Sequence, residues 1–281
     1  MSVYGSGGGG DYGGSMPAGA AYAYAPAPMT PRVRFEIIGE AWSLFQKQMG
    51  TWVLSVFILF AVTFSLSFML SLIGSTAGLS TTGRDGQPSI SLTSASYSIF
   101  TSLLTNAVTY YLLGGLYRMA LKQLRGQEIN VGDLFSAGDV FVPLFLSMIL
   151  YSFSVVGGLI LCIIPGFLVA GLLMLAPVLI ADKRETSPVQ ALKASWNALK
   201  PEMLNATLFA FVLGIVSAIG MLGCGIGILF TYPLFPLGHA ILYRDFFGLG
   251  TVPSVEPGIA GTQNPWASGQ PGTYPPPPAD R

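Results

Sequence analysis

Two stretches of about 40 residues, Phe141 to Ala181 and Leu204 to Tyr243, run without a single Asp, Glu, Lys or Arg. A helix crosses the roughly 30 Å hydrocarbon core of a bilayer with about 20 residues. Each stretch is therefore long enough for a hairpin of two membrane helices and too long for one. Two shorter uncharged runs, Thr51 to Ile73 and Ser98 to Tyr117, supply one span each. The expected spans are residues 51–73, 98–117, 141–163, 166–181, 204–222 and 224–243. A charged side chain at the bilayer centre costs about 2.5–3.5 kcal/mol, and here every charged residue falls in a tail, a connection or at a span edge. Composition agrees: charged residues are 9% of the chain, against about 25% in soluble domains. The expected fold is all-α, a polytopic membrane bundle of about six helices.

Residues 1–31 are a Gly/Ala/Tyr/Pro-rich tail and residues 251–281 a Pro-rich tail containing Pro275-Pro276-Pro277-Pro278. Both hold too little apolar surface to offset the entropy of ordering, so both read as disordered, leaving residues 32–250 as the membrane domain. No secretory signal is expected, because residues 1–31 lack Lys and Arg and the first long apolar run begins near Thr51. Six spans put both termini on one side. The connections with Arg118, Lys122 and Arg125, and with Lys183, Arg184, Lys193 and Lys200, are the basic ones, whereas the one between the first two spans holds only Arg84. The positive-inside rule then makes both termini cytoplasmic, in a plasma membrane.

Phe35, Ile38, Trp42, Phe45 and Met49 recur at steps of three and four among polar residues, the pattern of an amphipathic helix ending at the first span. A second copy opens at Ser187-Pro188, where Gln190 completes a capping-box spacing. Its apolar face is Val189, Leu192, Trp196 and Leu199. Ile129 to Phe135 is a shorter third copy. These segments are expected to lie in the cytoplasmic interface plane. The order of interfacial segment, span, tight turn and span thus occurs three times, and Leu116-Tyr117-Arg118 is echoed by Leu242-Tyr243-Arg244. Three related hairpin units follow. The turn of the second is expected near Ile164-Pro165-Gly166, with Gly157-Gly158 as the alternative, and that of the third at Gly223-Cys224-Gly225. Trp42, Lys47, Lys193, Trp196 and Lys200 form the candidate interfacial face for lipid or a partner. Ala206, Ala210, Gly214 and Ala218, spaced four apart, form the candidate helix-packing face. Thr63, Ser67 and Ser71 make a mildly polar stripe, read as packing rather than a substrate path.

No catalytic or cofactor motif is present. His239 is the single histidine, which removes metal sites built on several, and Cys162 and Cys224 sit in apolar runs as expected buried, inert thiols. The Gly-rich start lacks the Gly-Lys-Ser/Thr of a phosphate loop. Pro177, Pro233 and Pro236 should kink their helices, but no ionisable group accompanies them within the spans, as a coupled transporter would need. Lys+Arg and Asp+Glu balance at 13 each, so nothing favours nucleic acid.

Ile164-Pro165-Gly166, Pro177 and Ala191-Leu192-Lys193-Ala194-Ser195-Trp196, with Asp133-Leu134-Phe135 and Tyr243-Arg244-Asp245, resemble an uncharacterised group of bacterial multi-pass proteins. That group includes the membrane domain of membrane-anchored glycerophosphodiester phosphodiesterases. The resemblance spans about Phe35 to Phe247 and implies a helical membrane fold. The phosphodiesterase does not carry over, since its paired histidines have no counterpart here. The expected role is a non-enzymatic membrane module for assembly or for partner and lipid interaction. Its partners would be the lipid bilayer and either other membrane proteins or anionic lipids. A transporter or lipid-handling protein using the kinked helices is the alternative.

Overall fold

A computed structural model describes residues 31–79, 91–220 and 227–249. Both low-complexity tails, and the turn expected at Gly223-Cys224-Gly225, lie outside the described residues. Within them the regular structure is helical: α1 (Ile37–Lys47), α2 (Met49–Thr76), α3 (Leu92–Leu124), a 3-10 segment (Val131–Val140), α4 (Phe141–Leu161), α5 (Ile163–Leu173), α6 (Ala176–Ala181), α7 (Pro188–Leu199), α8 (Met203–Ile219), α9 (Ile228–Thr231) and α10 (Leu234–Phe247). Five helical runs are long and apolar enough to cross a membrane. The chain is a polytopic helical membrane bundle.

The sixth expected span, 224–243, is not one of these five runs, and its described part is broken into α9 and α10. Pro233 has no N–H and its ring clashes with the carbonyl four residues back, so α9 ends and α10 restarts at Leu234. Pro177 interrupts the fourth span in the same way, separating α5 from α6. The second span overshoots its expected bounds of 98–117. With 33 residues, α3 is about 50 Å long. It begins where Ser91 and Ser94 each accept the other's backbone N–H. It ends in a Schellman turn with Gly126 at φ 74°, where Gly126 N–H donates to Gln123 and Gln127 N–H to Lys122.

The turn of the second hairpin is at Cys162, earlier than Pro165, with Cys162 in extended backbone between α4 and α5. Gly158 and Gly166 face each other there. A Cβ on Gly158 would stand 2.8 Å from the Gly166 Cα, so both glycines are needed for the backbones to meet. Cys162 is exposed, not buried as its apolar surroundings suggest. Pro165 falls in the first turn of α5, where no intrahelical N–H bond is lost.

The three hairpins form a ring. Each has an inner, returning arm and an outer, entering arm. The inner arms are α3, α5–α6 and α10, and they pack on one another at the centre. Their sequences are apolar on all sides over the buried portion: Leu112 to Tyr117, Gly171 to Ala181, and Leu237 to Tyr243 are all buried. The outer arms α2, α4 and α8 bury only a stripe, such as Trp52, Ser55, Val56 and Leu59 on α2 or Ala206, Phe209, Leu213 and Ser217 on α8. Each inner arm also touches the next unit's outer arm: α3 with α4, α5 with α8, α9 with α2. The interfacial segments link the units in the same sense. The 3-10 segment packs on α3, α7 on α6, and α1 on α10, closing the last unit onto the first.

Candidate functional site: the charged end of the bundle

All three interfacial segments and the described ion pairs gather at one end. The described hairpin turn, at Cys162, lies at the other. At the charged end two of the three junctions of the ring are made by equivalent residues. Gln48 and Glu202 immediately precede the outer arms α2 and α8, with similar backbone angles. Neither caps its own helix. The Gln48 side chain accepts the Ile129 N–H at 2.9 Å, just before the second interfacial segment. Glu202 accepts the Val33 N–H at 2.8 Å, just before the first. Arg118 and Arg244, at the exits of α3 and α10, pair with acids on the following interfacial segment: Arg118 with Asp139 at 2.6 Å and Arg244 with Glu40 at 2.5 Å. Asp139 also holds Lys183 at 2.5 Å. The Arg118 hydrogen bond, more than Lys183, keeps the Asp139 carboxyl well below the usual carboxylate range, against its partial desolvation.

Further buried polar bonds hold the first unit together and fasten it to the third. Gln123, buried, accepts Trp52 Nε1–H at 2.8 Å and donates to the Leu44 carbonyl at 2.7 Å. Asp245, also buried, takes Arg34 and Arg244 together. In the centre Asp182 receives Arg125 and the Tyr243 hydroxyl, the latter at 2.7 Å, so the exits of all three inner arms are tied to one carboxylate. The junction at α7 has no ion pair of this kind. Instead the buried Ser195 hydroxyl donates to the Leu172 carbonyl at 2.7 Å and accepts the Leu175 N–H at 3.2 Å. These backbone groups flank the break that Pro177 causes, and Ser195 gives them partners. Among the described residues, three buried side-chain atoms have none: Ser55 Oγ and one guanidinium nitrogen each on Arg118 and Arg125.

The interfacial helices are present, but rotated relative to the expected stripes. On α1 the buried face is Ile37, Ala41 and Phe45, while Phe35, Trp42 and Met49 are exposed. On α7 it is Ala191, Ser195 and Leu199, while Val189 and Trp196 are exposed. Ser187 occupies the cap position of α7 without a side-chain cap bond, so the expected capping box does not form. The physical reason is that the apolar arc of such a helix has two neighbours. One edge of that arc meets the protein and the other, with Trp42 and Trp196, is left outside. The candidate face of Trp42, Lys47, Lys193, Trp196 and Lys200 is thus on the outside, split between α1 and α7.

The expected packing face of α8 is corrected likewise. Ala206 is buried, but Ala210 and Gly214 are half-buried and Ala218 is exposed. A Cβ on Gly214 would meet nothing within 4 Å. Close approaches are instead made by glycines of other arms onto α8: Gly171 against Thr207, and Gly238 against Leu213. The ring junctions escaped the sequence reading altogether. Their signal was there, since Trp42 stands before Gln48-Met49 at the spacing that separates Trp196 from Glu202-Met203.

Fold and site define a multi-pass helical membrane protein of three cyclically packed hairpins. The chain is 27% identical over 151 residues to an uncharacterised protein of Mycobacterium bovis and to an uncharacterised protein of Mycobacterium tuberculosis. The match covers 54% of this chain and 46% of each relative, so it spans about half the length of the curated proteins. No protein-family model matches the chain, and no solved structure matches it.

Proposed function

We propose that this chain is a non-enzymatic module of the plasma membrane, with both termini cytoplasmic, whose charged end engages anionic lipid headgroups through α7. One observation carries the reading. Helix α7 buries Ala191, Ser195 and Leu199 while leaving Lys193 and Lys200 exposed beside Trp196, and neither lysine has an ion-pair partner among the described residues. The other basic residues of the central connections, Arg118, Lys122, Arg125, Lys183 and Arg184, are engaged in holding the ring. Trp196 suits the headgroup level, and each lysine contributes about 1 kcal/mol of attraction to an anionic surface.

The test is vesicle co-sedimentation or nanodisc stability with and without phosphatidylglycerol. Lys193→Glu with Lys200→Glu should abolish the dependence on anionic lipid and leave the fold intact. Unchanged dependence would refute the reading. Orientation is tested separately: cysteines placed at Glu128 and Glu185 should resist an impermeant maleimide in whole cells, and one at Gly86 should react.

A further inference from the structure

A second polar feature lies toward the other end of the first hairpin. Between the turn-end halves of α2 and α3 runs an open groove of about 520 Å³, with Ser67, Ser71, Tyr97, Ser102, Thr105 and Asn106 in its lining. It extends from Ser98 to Asn106 along α3, about 12 Å at the helical rise. Hydroxyls in apolar helices ordinarily donate to a carbonyl one turn back. Their neighbours do so: Thr63 to Leu59 at 2.8 Å, Ser98 to Ser94 at 2.9 Å, Thr101 to Ser98 at 3.1 Å and Thr109 to Thr105 at 2.8 Å. The hydroxyls of Ser67, Ser71, Ser102 and Thr105 have no partner among the described residues. Within the span of a membrane helix, such groups cost free energy until something hydrogen-bonds them.

The lining holds one aromatic ring in a fixed place. The Tyr97 hydroxyl donates to the Leu70 carbonyl at 2.5 Å, and the ring lies against Gly74, where a Cβ would come within 2.6 Å of it. Asn106 donates to the Ser102 carbonyl at 2.8 Å, leaving its own amide oxygen as an acceptor. Among the described residues, no Asp, Glu, Lys or Arg lines the groove. Exposed apolar side chains stand on the same helix segments, Phe64 and Phe68 on α2 and Ile99 and Leu103 on α3.

We propose that this groove binds a membrane lipid with an uncharged polyhydroxyl headgroup, a sugar or polyol, whose acyl chains run along those apolar side chains. The described lining offers hydrogen-bond donors, acceptors and an aromatic ring, and no cation to neutralise a phosphate. Its volume is many times the ~30 Å³ of a water molecule, room for a hexose ring. The concave shape suits a headgroup better than a second helix, which packs on a flat face of small residues.

The full chain in phosphatidylcholine nanodiscs would be exposed to two photoreactive lipids with diazirines near the ester end of one chain. One is glucosyl diacylglycerol, the other phosphatidic acid. The glucosyl lipid should label the segments 64–74 and 97–106, at least tenfold more than the phosphatidic acid. Ser71→Leu with Ser102→Leu fills the groove with a side chain at home in lipid, and should reduce glucosyl labelling at least tenfold at unchanged elution volume. If that pair lowers folded yield, Ser71→Ala with Thr105→Val deletes only hydroxyls and should give the same loss. Equal labelling by both lipids, or labelling that survives the variants, would overturn the proposal. A wild-type dimer that the leucine pair turns into monomer would also overturn it, by assigning the groove to a contact between copies.

Discussion

Helix α3 passes through two different environments. From Leu92 to Tyr111 it is exposed or half-buried at all but Ser94, with Leu92, Ile99, Phe100 and Leu103 turned outward, and its polar groups are hydroxyls and the Asn106 amide. From Leu112 to Leu124 nearly every residue is buried against the other inner arms; Arg118 and Lys122 reach partners on the second unit, and Gln123 joins α1 and α2 of its own unit. The same contrast separates the two ends of the whole bundle. At the charged end, stability comes from packing and from buried polar groups that are paired across units. At the turn end, lipid is the neighbour and helix pairs touch through a few glycines. Substitutions of one chemical kind should therefore act very differently at the two ends.

The largest difference is expected at glycines. A Cβ on Gly115 would fall 1.8 Å from the Leu134 carbonyl oxygen, a backbone atom that cannot swing away. Gly115→Ala should cost about 3 kcal/mol and sharply lower the yield of folded protein by gel filtration. Gly157→Ala, toward the turn end of α4, meets nothing within 4 Å and should be neutral or stabilise by up to about 1 kcal/mol through helix propensity. If both prove equally damaging, the two ends are not packed as described.

Buried hydrogen bonds come next. Gln123→Leu strands the Trp52 indole N–H and the Leu44 carbonyl, and Ser195→Ala strands the Leu175 N–H. Each should cost about 1–3 kcal/mol in thermal or denaturant unfolding. Asn106→Leu, in the exposed half of α3, should cost less than about 0.5 kcal/mol. The contrast would fail if Asn106→Leu were the worst of the three.

The smallest effect concerns pH. Asp139 has a folded-state pKa below its ordinary 3.8. Its contribution is fully present above that ordinary value and is lost only as pH falls through the lower, folded value. The stability difference between the protein and its Asp139→Asn variant should thus stay constant from pH 7 to pH 5. It should stay below about 1 kcal/mol, because the carboxylate is partly exposed to water. A difference that vanished by pH 5 would mean the Arg118 and Lys183 contacts are not maintained in solution.

Much of this fold was legible in the sequence because lipid imposes a simple rule: charge-free runs of known length become helices. The three-unit order and the echo of Tyr117-Arg118 in Tyr243-Arg244 were also readable. What periodicity could not decide was which apolar residues face protein and which face lipid, since both are apolar. Hence the stripes through Trp42 and Trp196 were each read as one apolar face, whereas Ala41 and Ser195 are buried and the two tryptophans exposed. The small residues of α8 misled for a related reason: close approach depends on both partners, and Gly171 and Gly238 supply it from the opposing arms. Ser195 shows a third limit. A single serine on an interfacial helix reveals its role only once the break at Pro177, distant in sequence, is placed beside it.

The central claim is that the third unit closes onto the first within one chain. In protein with Cys162→Ser and Cys224→Ser, cysteines would replace Arg34 and Asp245, which form an ion pair between the segment leading into α1 and α10. Removing both partners together avoids leaving one charge buried alone. A short bismaleimide should then give rapid, concentration-independent cross-linking within single chains, seen as a faster-migrating monomer on denaturing gels. Cross-links found only between chains, or none at all, would contradict the ring.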